Sequence, residues 1–368
     1  MLLKRQAQAR RLPMAGPDDT APLVALIEAG ALDPARIVAI LGKTEGNGCV
    51  NDFTRGFAVA ALRAALSRWL PTEALDRIAM VMSGGTEGAL SPHMLVLAAG
   101  PAPEDAPPGP GLALGRCVTR DLAAAEIGRP AQIAVAAQGV RAAMAEAGID
   151  DPAAVHFVQI KCPLLTAPQI AAGGTAATDT LKSMGLSRGA SALGVAVALG
   201  EIAEADAMAA RIGADAALWS SRASCSAGVE LAGLEIVVMG MSDGWAGPLR
   251  IDHAVMRDGL DIDPVRACLR RLGARFDGQL PPDESARVLA VLAKAEAPRS
   301  GHVRGQRHTM LDDSDISATR HARAFAAGAL AAQIGHAALF VSGGAEHQGP
   351  DGGGPCAILH DPSRQETP

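Results

Sequence analysis

Runs of consecutive apolar residues recur in a fixed order along the chain, and their lengths separate buried strands from helices. An alanine- and leucine-rich stretch at residues 21–29 has helical character and leads into an apolar run at 36–41, short enough for a strand covered on both faces. That run ends in Gly42-Lys43-Thr44-Glu45-Gly46. The same order returns at 131–147 and 155–160, ending in Lys161-Cys162-Pro163, and at 265–272 and 287–292, ending in Lys294-Ala295-Glu296. Downstream of each lysine a hydroxyl residue and an arginine open an alanine-rich helical segment: Thr54 with Arg55, Ser187 with Arg188, and Thr319 with Arg320, where Arg323 is an alternative. A third apolar run then meets a serine and small residues, at Ser83-Gly84-Gly85, Ser226-Ala227-Gly228 and Ser342-Gly343-Gly344. A fourth run closes each set at 93–98, 235–240 and 356–359.

This order predicts an α/β fold of three structurally similar units, bounded at 1–103, 111–248 and 254–368. Proline and glycine crowd residues 100–111 and mark a linker, and a second break lies near Gly247-Pro248. A length of 368 residues is also more than one hydrophobic core usually serves.

Aromatic residues are 2% of the chain, with no tyrosine, so the core is packed from aliphatic side chains and stacking is a poor basis for ligand binding. A formal charge of -6 disfavours a nucleic-acid partner and favours a small molecule. The six cysteines are scattered, without CxxC or zinc-like spacing, so reduced thiols are expected and catalytic zinc is not. No signal-peptide pattern or membrane-length apolar run is read, which places the protein in the cytoplasm.

A serine hydroxyl needs a base before it attacks a carbonyl, and a neutral lysine can be that base. Burial and nearby cations both drive a lysine toward the neutral form, and three arginines supply such cations. Arginine early in a helix is unfavourable to the helix dipole, so its recurrence there points to a ligand. Small residues after each serine let backbone N–H groups approach a substrate oxygen. If the three units meet around an axis, three lysines, three serines and three arginines face one small, flat ring. Cyanuric acid fits that description, and barbituric acid fits with less symmetry. Other readings are an amidase-signature hydrolase, disfavoured by three motif sets where that family has one, and a binding protein for cyclic imides without turnover.

The segments 42–48, 82–88, 187–191 and 341–347 together resemble the cyanuric acid hydrolase and barbiturase family, across all three units. The resemblance implies a pseudo-threefold fold with the active site at its centre, and ring opening of cyanuric acid to carboxybiuret in s-triazine degradation. It implies that Ser226 is the nucleophile and Lys161 its base, with Ser226 in the one copy that departs from Ser-Gly-Gly. Substrate contacts then fall to Lys43, Arg55, Ser83, Gly84, Arg188, Ala227, Lys294, Arg320, Ser342 and Gly343. It further implies a structural divalent cation, magnesium or calcium, held by Glu296, Ala345, Gln348, Gly349, Pro350 and Gly353, no organic cofactor, and a homotetramer.

Overall fold

The computed structural model describes residues 4–364. The apolar runs become strands of three sheets that share one strand order. The first contains β1 (Arg5–Pro13), β2 (Ile37–Thr44), β3 (Ala79–Gly84) and β4 (His93–Pro101), in the order β3-β2-β4-β1. The second contains β5 (Gly111–Val118), β6 (Val155–Pro163), β7 (Ala223–Gly228) and β8 (Glu235–Ser242), in the order β7-β6-β8-β5. A short strand, β9 (Trp245–Ala246), comes after β8 but adds to the edge of the first sheet beside β1. The third sheet contains β10 (Arg250–Met256), β11 (Val288–Ala295), β14 (Phe340–Gly343) and β15 (Gly354–His360), in the order β14-β11-β15-β10. A small hairpin of β12 (His302–Val303) and β13 (Gln306–Arg307) stands apart from it.

The likeness extends to register. In each sheet the lysine strand runs parallel to the serine strand and antiparallel to the fourth, and its register slips at Ile37/Ala39, Val155/Phe157 or Val288/Ala290, the same distance before each lysine. An extra residue there twists the strand and re-aims its C-terminal half, as bulges do near functional sites. β2 and β11 are buried along their whole length and β6 nearly so, as their unbroken apolar sequences require.

The arginine helices differ from expectation in their starts. Asp52 caps the helix Phe53–Leu66 by accepting from Thr54 N, and Asp179 caps Thr180–Ala198 by accepting from Lys182 N. The second helix thus begins well before Ser187, and Arg188 lies deep inside it rather than at its mouth. Aspartate satisfies the free N–H groups and the dipole together, so it takes the cap ahead of a nearby hydroxyl. Asp52 is spent on this cap and is not the partner of Arg55. The third helix runs Ala318–Ile334, with Ser317 before it.

β9 ties the second unit's chain to the first sheet. Trp245 is 1% exposed, donates Nε1–H to Ala147 O at 2.7 Å, and carries the Arg5 guanidinium 4.1 Å above its ring. No helix among the described residues is long and apolar enough to cross a membrane.

Candidate active site

The parallel pairing of strands places each lysine directly opposite its serine: Lys43 beside Ser83, Lys161 beside Ser226, and Lys294 beside Ser342. All three amines are buried. Lys43 Nζ donates to Ser83 Oγ at 3.3 Å and to Gly84 O at 3.2 Å. Lys294 Nζ donates to Ser342 Oγ at 3.2 Å, to Gly343 O at 3.2 Å, and across to Cys225 O at 3.0 Å. Lys161 Nζ reaches Met82 O at 3.2 Å and forms an ion pair with Glu230 at 2.8 Å. The second and third lysines therefore each contact the residue that precedes a neighbouring sheet's serine.

Burial is the main force that lowers the proton affinity of every one of these lysines, and an arginine adds to it in each case. Lys43 is held well below the ordinary lysine value by burial and then Arg323; Lys294 is brought down to about 7 by burial and then Arg188. Lys161 is lowered by burial, a shift that Glu230 opposes and Arg55 reinforces. The pairing of one lysine with one arginine supplies the field expected of the repeats.

The arginines also link the sheets in a closed sequence. Glu87, after Ser83, forms an ion pair with Arg323 at 2.6 Å. Glu346, after Ser342, forms one with Arg188 at 2.7 Å, with both Nε and Nη2 donating. Arg55 Nη1 donates to Ala227 O at 3.1 Å, which completes the circuit from the second serine back to the first helix. Close approach requires glycine: a Cβ on Gly85 would lie 2.4 Å from Arg323 Nη2, and one on Gly344 would lie 2.5 Å from Arg188 Nη2. Both residues have positive φ.

One cleft gathers these groups. It is lined by Gly48, Arg55, Met82, Ser83, Gly84, Arg188, Ser226, Ala227, Arg323, Ser342 and Gly343. Ser226 Oγ and Ser342 Oγ are 3.4 Å apart, and Arg55 Nε is buried with no hydrogen-bond partner. The third arginine of the cleft is Arg323, at 2% exposure; Arg320 pairs with Glu87 from outside and keeps a 40% exposed side chain. Lys43, Lys161 and Lys294 stand behind the serines and do not line the cleft. Cys225 next to Ser226 is no rival nucleophile, because burial raises its thiol well above the usual value. The glutamate four residues after each serine went unassigned in the sequence, although its recurrence at Glu87, Glu230 and Glu346 was a signal.

A separate recess is lined by Glu296, Ala345, Gly349 and Pro350, with Arg299 and Asp351 nearby. Gln348 and Gly353 lie outside that lining. The Gln348 amide is committed elsewhere, accepting from Cys225 N at 2.6 Å and donating to Gly344 O at 3.2 Å. The Glu296 carboxyl is pushed up to about 7, by burial first and then by the Glu346 carboxylate. The half-buried Glu296 carboxylate and the 345–350 loop beside it offer oxygen ligands of the kind a hard divalent cation takes, whereas both oxygens of Glu346 are held by Arg188.

Hydroxyls backed by buried amines and ringed by guanidinium groups are the equipment of a hydrolase that acts through serine. A family model described as an amidohydrolase ring-opening protein matches residues 8–361. The chain belongs to this family. It is 61% identical over 363 residues to a cyanuric acid amidohydrolase of Bradyrhizobium sp. (strain ORS 375), covering 96% of this chain and 98% of that one. To a cyanuric acid amidohydrolase of Azorhizobium caulinodans it is 59% identical over 360 residues, covering 96% and 98%. The crystal structure of cyanuric acid hydrolase from A. caulinodans superposes with a TM-score of 0.90 at 55% identity, covering 98% of this chain and all of that one.

Proposed function

We propose that this chain opens the ring of cyanuric acid by hydrolysis, giving carboxybiuret in s-triazine degradation. The observation that carries this reading is the convergence of three serines, each register-matched to a buried lysine, and three arginines on one cleft. Near-full-length identity to two cyanuric acid amidohydrolases supports the choice of ring.

In this reading the units 1–103, 111–248 and 254–368 close around a pseudo-threefold axis that passes through the cleft. The ring lies on that axis. Its three carbonyl oxygens accept from Arg55, Arg188 and Arg323, and its ring N–H groups face the serine hydroxyls. Ser226 Oγ attacks a carbonyl carbon as its proton passes to neutral Lys161. The ring C–N bond breaks, and Lys161 returns the proton to the departing nitrogen. Water then cleaves the ester and restores Ser226. Ser83 and Ser342 orient the ring, backed by Lys43 and Lys294. Glu296, with Ala345, Gly349 and Pro350 beside it, would hold a magnesium or calcium ion, whose positive charge would offset that of the glutamate. We further propose a homotetramer in the cytoplasm.

Purified protein supplied separately with cyanuric and barbituric acid decides the substrate. Ring loss and release of the opened product from cyanuric acid are expected, with at least about 100-fold lower kcat/KM on barbituric acid, where one ring N–H is missing and a site built to bond it is left unpaired. Turnover of barbituric acid alone contradicts the assignment, and tight binding of cyanuric acid without product marks a binding protein instead.

A further inference from the structure

We infer that Glu230 is a positioning residue for Lys161: its carboxylate orients the amine and supplies the negative charge that sets its basicity, which makes the middle dyad unlike the other two. This inference rests on the assignment of Ser226 and Lys161 as nucleophile and base.

Three glutamates occupy the same place after the three serines, and two of them bind a neighbouring arginine. Glu230 turns instead to the lysine of its own sheet, at 2.8 Å. Gly228 permits that turn. A Cβ there would lie 2.0 Å from Glu230 Oε2, whereas a Cβ at the matching Gly85 or Gly344 would meet a guanidinium. The neighbouring strand differs as well. Lys161 lies opposite Glu235, while Lys43 lies opposite His93. Lys161 thus faces Glu230 and Glu235 as acids, Arg55 as a cation, and the Cys162 thiol.

A base works best when its proton affinity is matched to the operating pH. Burial and Arg55 both weaken Lys161 as a base, and Glu230 is the strongest influence in the opposite direction. At rest the ammonium group is parked on Glu230 and Met82 O. Loss of its proton removes the ionic attraction, and the free amine then turns to the hydroxyl of Ser226, its strand neighbour.

The test is the pH profile of kcat, which reports groups of the substrate complex and not the titration of free substrate. For Glu230→Gln the acid limb is expected to move to lower pH by about one unit or more, with a lower plateau from the weaker base. Glu230→Asp, which keeps the charge, is expected to leave the limb near its original position, and a thermal melt of each variant reports folding. Glu87→Gln, whose carboxylate serves Arg323, is expected to raise KM and leave the limb in place. An unshifted limb in folded Glu230→Gln overturns the inference. Ser226→Ala separates the two levels: turnover retained there removes the nucleophile assignment itself, whereas a dead Ser226→Ala beside an unshifted Glu230→Gln removes this inference alone.

Discussion

Ser226→Ala is expected to lower kcat by about four to six orders of magnitude, the scale seen when a covalent nucleophile is lost. Alanine keeps the Cβ and the strand pairing with Lys161, so the fold and ring binding persist. Ser83→Ala and Ser342→Ala remove one hydroxyl each from the same cleft. A hydrogen bond to substrate is worth about 1 kcal/mol, so these variants are expected to lose about fivefold, mainly in KM. Steady-state rates of the three variants side by side give the answer. Three similar, partial losses contradict a single nucleophile and mean that the serines substitute for one another.

The second large effect is at Lys161. Lys161→Ala is expected to cost about 10² to 10⁴ in kcat, the usual contribution of general base catalysis. Lys161→Arg is expected to cost as much, because guanidinium stays protonated at any working pH. In the parent protein the rate rises as pH passes the value at which Lys161 loses its proton, and burial places that point below the ordinary lysine range. The activity is therefore expected to fall on the acid side. Alanine at position 161 also leaves Glu230 without its ion-pair partner, so a melt is needed beside the kinetics. Unchanged kcat in a folded Lys161→Ala protein assigns the base elsewhere, with Lys294 next in line at about 7.

Much of this arrangement was legible in the chain because its elements are short and sharply ended. Apolar runs that stop at a lysine, or at Ser-Gly-Gly, carry both the strand and the position of its functional side chain, and the closing runs at 93–98, 235–240 and 356–359 are the strands β4, β8 and β15. The first strand of each sheet was not legible. β1 has buried Ala7 and Ala9 between polar residues, and its arginines and glutamines present the surface pattern of a loop. β5 comes after a proline-rich linker that hides its start.

In the cleft, Arg55 and Arg188 could be read from sequence, but the choice of Arg323 over Arg320 could not. Both sit in the first two turns of one helix, and only the position of Glu87 from another sheet, together with burial, separates them. The start of the helix bearing Arg188 was obscured for a local reason. Asp179 is its cap, and Gly185, which has the look of a break before Ser187, is instead an interior residue of the helix. Glu230 was hidden in a different way. Its distance from Ser226 matches that of Glu87 and Glu346 from theirs, while its partner is set by the packing of Gly228 and by the lysine opposite.

A crystal structure of Ser226→Ala with cyanuric acid bound decides where the ring sits. The predicted result is one ring at the centre of the cleft, within hydrogen-bond distance of Ser83 and Ser342, with Arg55, Arg188 and Arg323 each on a different carbonyl oxygen and one ring carbon facing residue 226. A ring seated in the outer depression between Leu181 and Ile212, away from all three lysine and serine pairs, contradicts it.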